Sequence, residues 1–233
     1  VLSYQKDANL IIQTNVAGTN NLMSALVEIG SVRKFINLGS TFEYGPKYKD
    51  ILETEIPEPV SLYGIAKVAQ TDLARYFALQ RGLPTLTLRI FTPYGPYEQT
   101  GRLIPNIIQS IIKKKTLNVI SPKAKRDFIY VEDVVTAMIK AAKSRFGNGE
   151  IFNIGSGKEY SVEEIIHIAE KITGDKLKVD FIKGKEREFD KFGKYGFANI
   201  RKAKKLKWLP AHSINEGMTK TYQWFKENLH LYK

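Results

Sequence analysis

Ser61-Leu62-Tyr63-Gly64-Ile65-Ala66-Lys67, read with Gly39-Ser40-Thr41-Phe42-Glu43-Tyr44-Gly45 before it, decides how this chain is understood. Tyr63 and Lys67 stand at i and i+4, so a helix places phenol and ammonium on one face, a turn apart. An ammonium beside a phenol favours the phenolate and draws a group of reference pKa about 10 towards neutrality. Ser40, 23 residues upstream at the end of a strand-like run, adds a hydroxyl for the same substrate oxygen. Together they make a proton-transfer site for a hydroxyl/carbonyl pair. Taken alone, Tyr-x-x-x-Lys is also the spacing of an ordinary surface pair, so the rest of the chain decides.

The 233 residues, 43% hydrophobic, suffice for one large core or a core with a small lobe. The absence of cysteine removes disulfide, thiol and Cys-zinc chemistry. No apolar run approaches a membrane span and nothing resembles a signal peptide, so the expectation is a cytoplasmic protein. A net charge of +12 suits an anionic ligand. The lysines are spread along the chain, densest at Arg201-Lys202-Ala203-Lys204-Lys205-Leu206-Lys207, with no zinc-finger, RNP-like or helix-turn-helix signature. Solvated lysine faces account for that charge, and no nucleic-acid partner is expected.

Helical spacing runs over residues 5–29 (Leu10, Ile11, Val16, Leu22, Leu26, Val27) and stops at Gly30. Residues 33–38 read as a strand ending at Gly39-Ser40. A Pro/Glu-rich loop follows, and Ser61 caps a helix that carries Tyr63 and Lys67 to Gly82. Thr85-Leu86-Thr87-Leu88-Arg89-Ile90 is a second strand. Strands alternating with helices imply a parallel sheet whose ligands sit beyond the strands' carboxyl ends. Ser40 and residues 91–96 both lie at such ends, so two strand ends and the intervening helix converge on one crevice.

Beyond Leu103 the pattern is mostly helical: residues 104–115, then 131–145 with Val134, Val135, Met138 and Ile139 as its apolar face, and near 215–228. Short strands intervene at 117–120, 127–131, 151–154 and 177–182. Ser161 with Glu164 forms a capping box. Gly155-Ser156-Gly157 lacks the third glycine of a dinucleotide loop and reads as a glycine turn. His167, His212 and His230 share no metal-ligand spacing, and no metal site is expected. Asp133 reads as a helix-start residue.

The residues resemble the extended short-chain dehydrogenases/reductases, in the NAD-dependent nucleotide-sugar epimerase/dehydratase group. The likeness rests on Asn15-Val16-Ala17-Gly18-Thr19, Gly39-Ser40-Thr41 with Tyr44-Gly45, Tyr63-Gly64-Ile65-Ala66-Lys67, Leu88-Arg89-Ile90-Phe91 with Tyr94-Gly95-Pro96, residues 126–133, and Phe152-Asn153-Ile154-Gly155. It implies an α/β fold, a Rossmann-like doubly wound parallel sheet whose first strands are missing here, with a small mixed α/β substrate-binding lobe. Residues 1–100 would belong to the cofactor domain and 101–233 mainly to that lobe. The resemblance makes Tyr63 the acid/base, Lys67 the residue that lowers its pKa and holds the nicotinamide ribose, and Ser40 the hydrogen-bonding partner of the reacting oxygen. Asn15 and Phe91 fall beside the cofactor. Arg126 becomes the grip on a sugar-nucleotide diphosphate, where the bare sequence also fits an Arg126-Asp127 surface ion pair. Arg187 assists, and Arg102, Thr41 and Thr92 line the substrate side.

Two departures narrow this. The family's 4,6-dehydratases carry Asp-Glu where Thr41 and Phe42 stand, and its decarboxylases favour an acid at the Phe42 position. Elimination chemistries are therefore disfavoured, leaving an epimerase acting through NAD on a nucleotide-diphosphate sugar. The alternatives are an NADPH-dependent 4-ketoreductase (NADP in place of NAD), or a truncated, non-catalytic sugar-nucleotide-binding paralogue. Secondly, the family's glycine-rich phosphate loop has no counterpart ahead of Tyr63, a gap on the order of 70 residues. These 233 residues on their own are expected to bind nicotinamide cofactor poorly, which a calorimetric titration giving micromolar affinity would refute. The resemblance also implies a homodimer through residues 5–29 and the Tyr63 helix.

Overall fold

The computed structural model describes residues 7–182 and 195–232. Its centre is a parallel three-stranded sheet ordered β1 (Phe35–Ser40), β3 (Thr85–Ile90), β8 (Asn148–Ile154). β1 and β3 pair from Phe35 opposite Thr85 to Ser40 opposite Ile90, so both strands end at the same level. Parallel strands require crossovers, and the helix between them is α3 (Leu62–Arg81). Ser61 Oγ accepts the Gly64 N–H at 3.1 Å to start it, and Gly82, at φ 67°, ends it in a left-handed turn that a side chain would strain.

Two helical pieces, α1 (Ala8–Ile12) and α2 (Gly18–Ile29), are joined by a π-helical turn at Gln13–Ala17 and pack on α3. Met23 meets Ala74, Phe77 and Leu83 there, and burying a side chain such as Met23 or Phe77 contributes about 2 kcal/mol. The buried stripe is Ile11, Thr19 and Met23, while Leu10 and Leu22, expected inside, are half exposed. The π turn accounts for Leu22, because it rotates the face that follows it.

On the other side of the sheet lie α5 (Val131–Ala142) and a 3-10 turn at Lys202–Leu206, enclosing Leu86, Leu88, Val134, Ala137, Ala141, Phe152 and Trp208. Here too the expected face is corrected: Val135 and Ile139 are 47% and 48% exposed, and alanines take the inner positions. Small residues let the helix lie closer to the sheet than branched ones would.

A second core joins α4 (Leu103–Ile112), α6 (Val162–Thr173) and α7 (Ile214–Asn228) around Ile107, Ile108, Phe128, Ile165, Met218 and Phe225. Ser161–Glu164 and Ser213–Glu216 are both reciprocal capping boxes. Short strands stitch the two cores. β4 (Thr92–Tyr94) lies parallel to β7 (Phe128–Tyr130), and β6 (Lys125–Arg126) antiparallel to β9 (Tyr160–Ser161). β2 (Asp50–Ile51) pairs with β11 (Phe197–Ala198), and β5 (Leu117–Val119) with β10 (Val179–Phe181). No helix among the described residues is long and apolar enough to cross a membrane.

Candidate active site

β1 delivers Ser40 into a tight 3-10 turn, Thr41–Glu43, at the carboxyl end of the sheet. Ser40 Oγ accepts the Phe42 N–H at 3.2 Å, which leaves its own hydroxyl proton available to donate. The first turn of α3 lies directly against this one. A Cβ on Gly64 would stand 2.6 Å from the Phe42 carbonyl oxygen, so only glycine beside Tyr63 permits the approach. The Phe42 and Tyr63 rings meet edge to face, with centroids 6.0 Å apart. The turn that starts at Ser40 is thus packed against the helix turn that carries Tyr63 through Phe42 and Gly64.

One turn on, the Lys67 ammonium is 5.9 Å from the centre of the Tyr63 ring and is buried. It donates to the Leu38 carbonyl at 2.6 Å and to Gln70 Oε1 at 2.5 Å. An ammonium has three protons, so one donor direction is left for a ligand. Burial pushes the Lys67 pKa down, and the negative charge of Glu43 pulls it back up.

Beneath the site is a buried ionic knot that the sequence reading overlooked. Glu43, wholly buried, accepts the Ser40 N–H at 2.7 Å, the Thr71 hydroxyl at 2.9 Å and Arg89 Nε at 2.6 Å. Arg89 in turn lies over the Tyr44 ring at 4.5 Å, and the Tyr44 hydroxyl donates to Asn153 Oδ1 at 2.7 Å. Burial raises the Glu43 carboxyl, opposed by Arg89, and raises Tyr44 to about 12. The motif residues Glu43, Arg89 and Asn153 were legible as a pattern. The Glu43–Arg89 and Tyr44–Asn153 contacts were not, because separations of 46 and 109 residues carry no periodic signal.

Phe42 also touches Tyr195 (centroids 5.4 Å apart), and the Arg126 guanidinium stacks on Tyr195 at 4.5 Å. A continuous line, Tyr63–Phe42–Tyr195–Arg126, therefore joins the acid/base candidate to the anion-binding one. Tyr195 had no signal in the sequence. Asp127 belongs to no surface ion pair: it is 1% exposed and accepts from Ser156 N–H, Ser156 Oγ, Gly157 N–H and Ala198 N–H at 2.7, 2.6, 3.1 and 2.9 Å. The glycine turn is a cradle for this carboxylate. Asp133 begins α5 and accepts from Ala211 N–H, His212 N–H and the His212 ring, so His212 is structural.

The other candidates divide. Thr41 borders Ser40 with its hydroxyl buried and unpaired among the described residues, a polar atom suited to a ligand. Thr92 is half-buried on β4, its N–H bonded to the Asp127 carbonyl. Arg102 sits at the start of α4, its Nε 3.4 Å from Glu98, in a groove also lined by Pro93, Tyr94, Gly95 and Gln99. Asn15 lies in the π turn, its Nδ2 donating to Ile11 carbonyl at 2.9 Å, which makes it a helix-bracing residue. The Phe91 ring is 3% exposed and packs with Tyr44, Ile51 and Ala198, so it offers the crevice no side chain. Arg187 lies outside the described residues.

The model of the NAD dependent epimerase/dehydratase family matches residues 1–155. The chain belongs to that family. It is 31% identical over 229 residues to a UDP-glucuronate 4-epimerase of Thermodesulfobacterium geofontis, covering 95% of this chain and 68% of the relative. A UDP-N-acetyl-alpha-D-glucosaminuronate decarboxylase of Bacillus cytotoxicus is 32% identical over 235 residues, covering 93% and 70%. The crystal structure of a Bacillus cereus UDP-glucuronic acid 4-epimerase, in complex with UDP-glucuronic acid and NAD, superposes with a TM-score of 0.84 at 27% identity. That match covers 93% of this chain and 68% of the other. The chain therefore spans about two thirds of the length of these family members, which are enzymes of nucleotide-sugar chemistry. Identity alone does not separate epimerase from decarboxylase; the residues around Tyr63 must.

Proposed function

We propose that this chain carries the proton-handling half of a nucleotide-sugar epimerase, with Tyr63 as acid/base, Lys67 and Ser40 beside it, and NAD as the cofactor. The observation that carries the reading is the Phe42-centred assembly, which sets Tyr63 against Ser40 on one side and Tyr195 with Arg126 on the other. Bound NAD would supply the reversible hydride acceptor for the sugar carbon, C4 in this reading. Lys67, with a free donor direction, and the Tyr63 hydroxyl would hold the nicotinamide ribose, with Asn15 bracing the helix nearby. Tyr63 takes the sugar hydroxyl proton as the carbonyl forms and gives it back as the carbonyl is reduced. Lys67 keeps the phenolate accessible through its positive charge, and the Ser40 hydroxyl donates to the reacting oxygen. Arg126 binds the diphosphate of the nucleotide sugar, held flat on Tyr195, with Arg102, Thr41 and Thr92 along the same substrate.

Phe42 supports epimerisation against elimination or decarboxylation, because those reactions need an additional acid and base at the sugar. Its position holds a hydrocarbon ring. The adjacent acid, Glu43, is buried and committed to three donors. Helices α1, α2 and α3, packed together, expose Leu10, Leu22, Ile29, Ile65 and Leu79, which supports a homodimer through these helices. Sedimentation at micromolar concentration giving only a monomer would remove that part. The reading as a whole is tested by incubating the full-length protein with NAD and a panel of nucleotide sugars, with products identified by NMR. A pair of epimers is expected. A 4-keto-6-deoxy product, released carbon dioxide, or a reduced sugar formed only with NADPH would overturn it.

A further inference from the structure

We propose that Glu43 is a positioning residue of the active site: one carboxylate that fixes Ser40 and ties it to the helix carrying Tyr63 and Lys67. It deepens the epimerase reading, on which only its kinetic arm rests. The carboxylate ties three elements at one point. One oxygen takes the Ser40 N–H at 2.7 Å, fixing the residue whose hydroxyl meets the substrate. The other takes Thr71 on α3 at 2.9 Å and Arg89 on β3 at 2.6 Å. Thr71 follows Tyr63 and Lys67 at i+8 and i+4, so the bond lands on the very face of α3 that carries the acid/base pair. Gly39 supplies the space, since its missing Cβ is where a Glu43 oxygen and the Arg89 stem come closest.

Three donors, one of them a guanidinium, favour the charged carboxylate of Glu43 against the burial that raises its pKa. Its charge opposes the loss of the Lys67 proton that burial favours. The charged groups facing Lys67 are Tyr63 on its own helix and Glu43 from the turn, with Arg89 and Tyr44 behind Glu43. A buried Glu–Arg pair could serve packing alone, and removing one partner leaves the other charge uncompensated. The test must therefore separate charge placement from stability.

Glu43→Gln and the double variant Glu43→Gln/Arg89→Met are made in the full-length protein. The second leaves no charge buried alone and carries the test if the first does not fold. With the epimerase substrate, kcat is expected to fall by roughly tenfold to a hundredfold, the scale of a catalytic group displaced by about 1 Å, while KM stays within about twofold. The high-pH limb of kcat moves to lower pH, because Lys67 loses its proton sooner. NMR titration of isotope-labelled lysines, with Lys67 assigned by Lys67→Arg, reads that shift without any substrate. Lys67 titrating at lower pH in both variants supports the proposal even if no nucleotide sugar is turned over, an outcome that would sink only the epimerase reading. A double variant that melts like the parent and recovers kcat, the pH limb and the Lys67 titration would overturn it.

Discussion

Asp127→Asn isolates the buried carboxylate that clasps the glycine turn to β11 beside Arg126. The carboxylate is fully enclosed and receives four donors, three of them backbone N–H groups from two separate segments. An asparagine of the same shape keeps one acceptor oxygen and turns an NH2 towards N–H donors that then have no acceptor. Hydrogen bonds to a charged acceptor contribute about 1.5–3 kcal/mol each. Losing two, with part of the loss returned because no charge is buried, costs roughly 3–5 kcal/mol. For a domain of this size that lowers the melting temperature by roughly 6–20 °C. Thermal unfolding by circular dichroism reads the first consequence. The second is functional: Arg126 lies on β6 beside this clasp, so KM for the nucleotide sugar rises more than kcat falls. A variant melting within about 2 °C of the parent, the scale of an exposed ion pair, would refute the burial argument.

Other outcomes follow from the same contacts. Burial raises the Glu98 carboxyl from 4.5 to about 7. The folded chain thus keeps a proton that the unfolded chain sheds, and stability falls as pH rises from about 4.5 to 7. Glu98→Gln removes that fall, worth at most about 3 kcal/mol. Melting curves of parent and variant should differ at pH 8 and converge at pH 4; parallel behaviour would exclude it. Gly64→Ala forces a methyl to within 2.6 Å of the Phe42 carbonyl and separates Tyr63 from Ser40. It is expected to destabilise by about 1–3 kcal/mol and to lower kcat disproportionately. Unchanged kcat would show that the close approach is not what aligns the pair.

The local rules carried the fold far. Ser61 and Gly82 bound α3 as capping chemistry requires, and residues 35–40 and 85–90 form adjacent parallel strands, the first starting two residues later than expected. Two-residue strands such as β2 and β11 were not legible, because their pairing is fixed by the distant packing of Ile51 and Ala198 with Tyr44 and Phe91. The inner face of α5 was misjudged for a related reason: the largest apolar residues were assigned inward, whereas close helix–sheet contact selects Ala137 and Ala141 and leaves Val135 and Ile139 outside. In the site, Tyr63, Lys67 and Ser40 were visible through spacing and strand ends. Glu43 joining Ser40 to Arg89, and Tyr195 under Arg126, depend on side chains that only the folded chain brings together.

The proton-handling role of Tyr63 is tested most directly by comparing the full-length protein with its Tyr63→Phe variant, with NAD present, on the nucleotide sugar that the product panel identifies. Interconversion of the two epimers is followed by proton NMR. Losing the phenol should reduce turnover by roughly 10²- to 10⁴-fold while KM stays nearly constant, because the ring still packs on Phe42 and only the proton path is cut. Parental turnover in the phenylalanine variant would contradict the account at its centre.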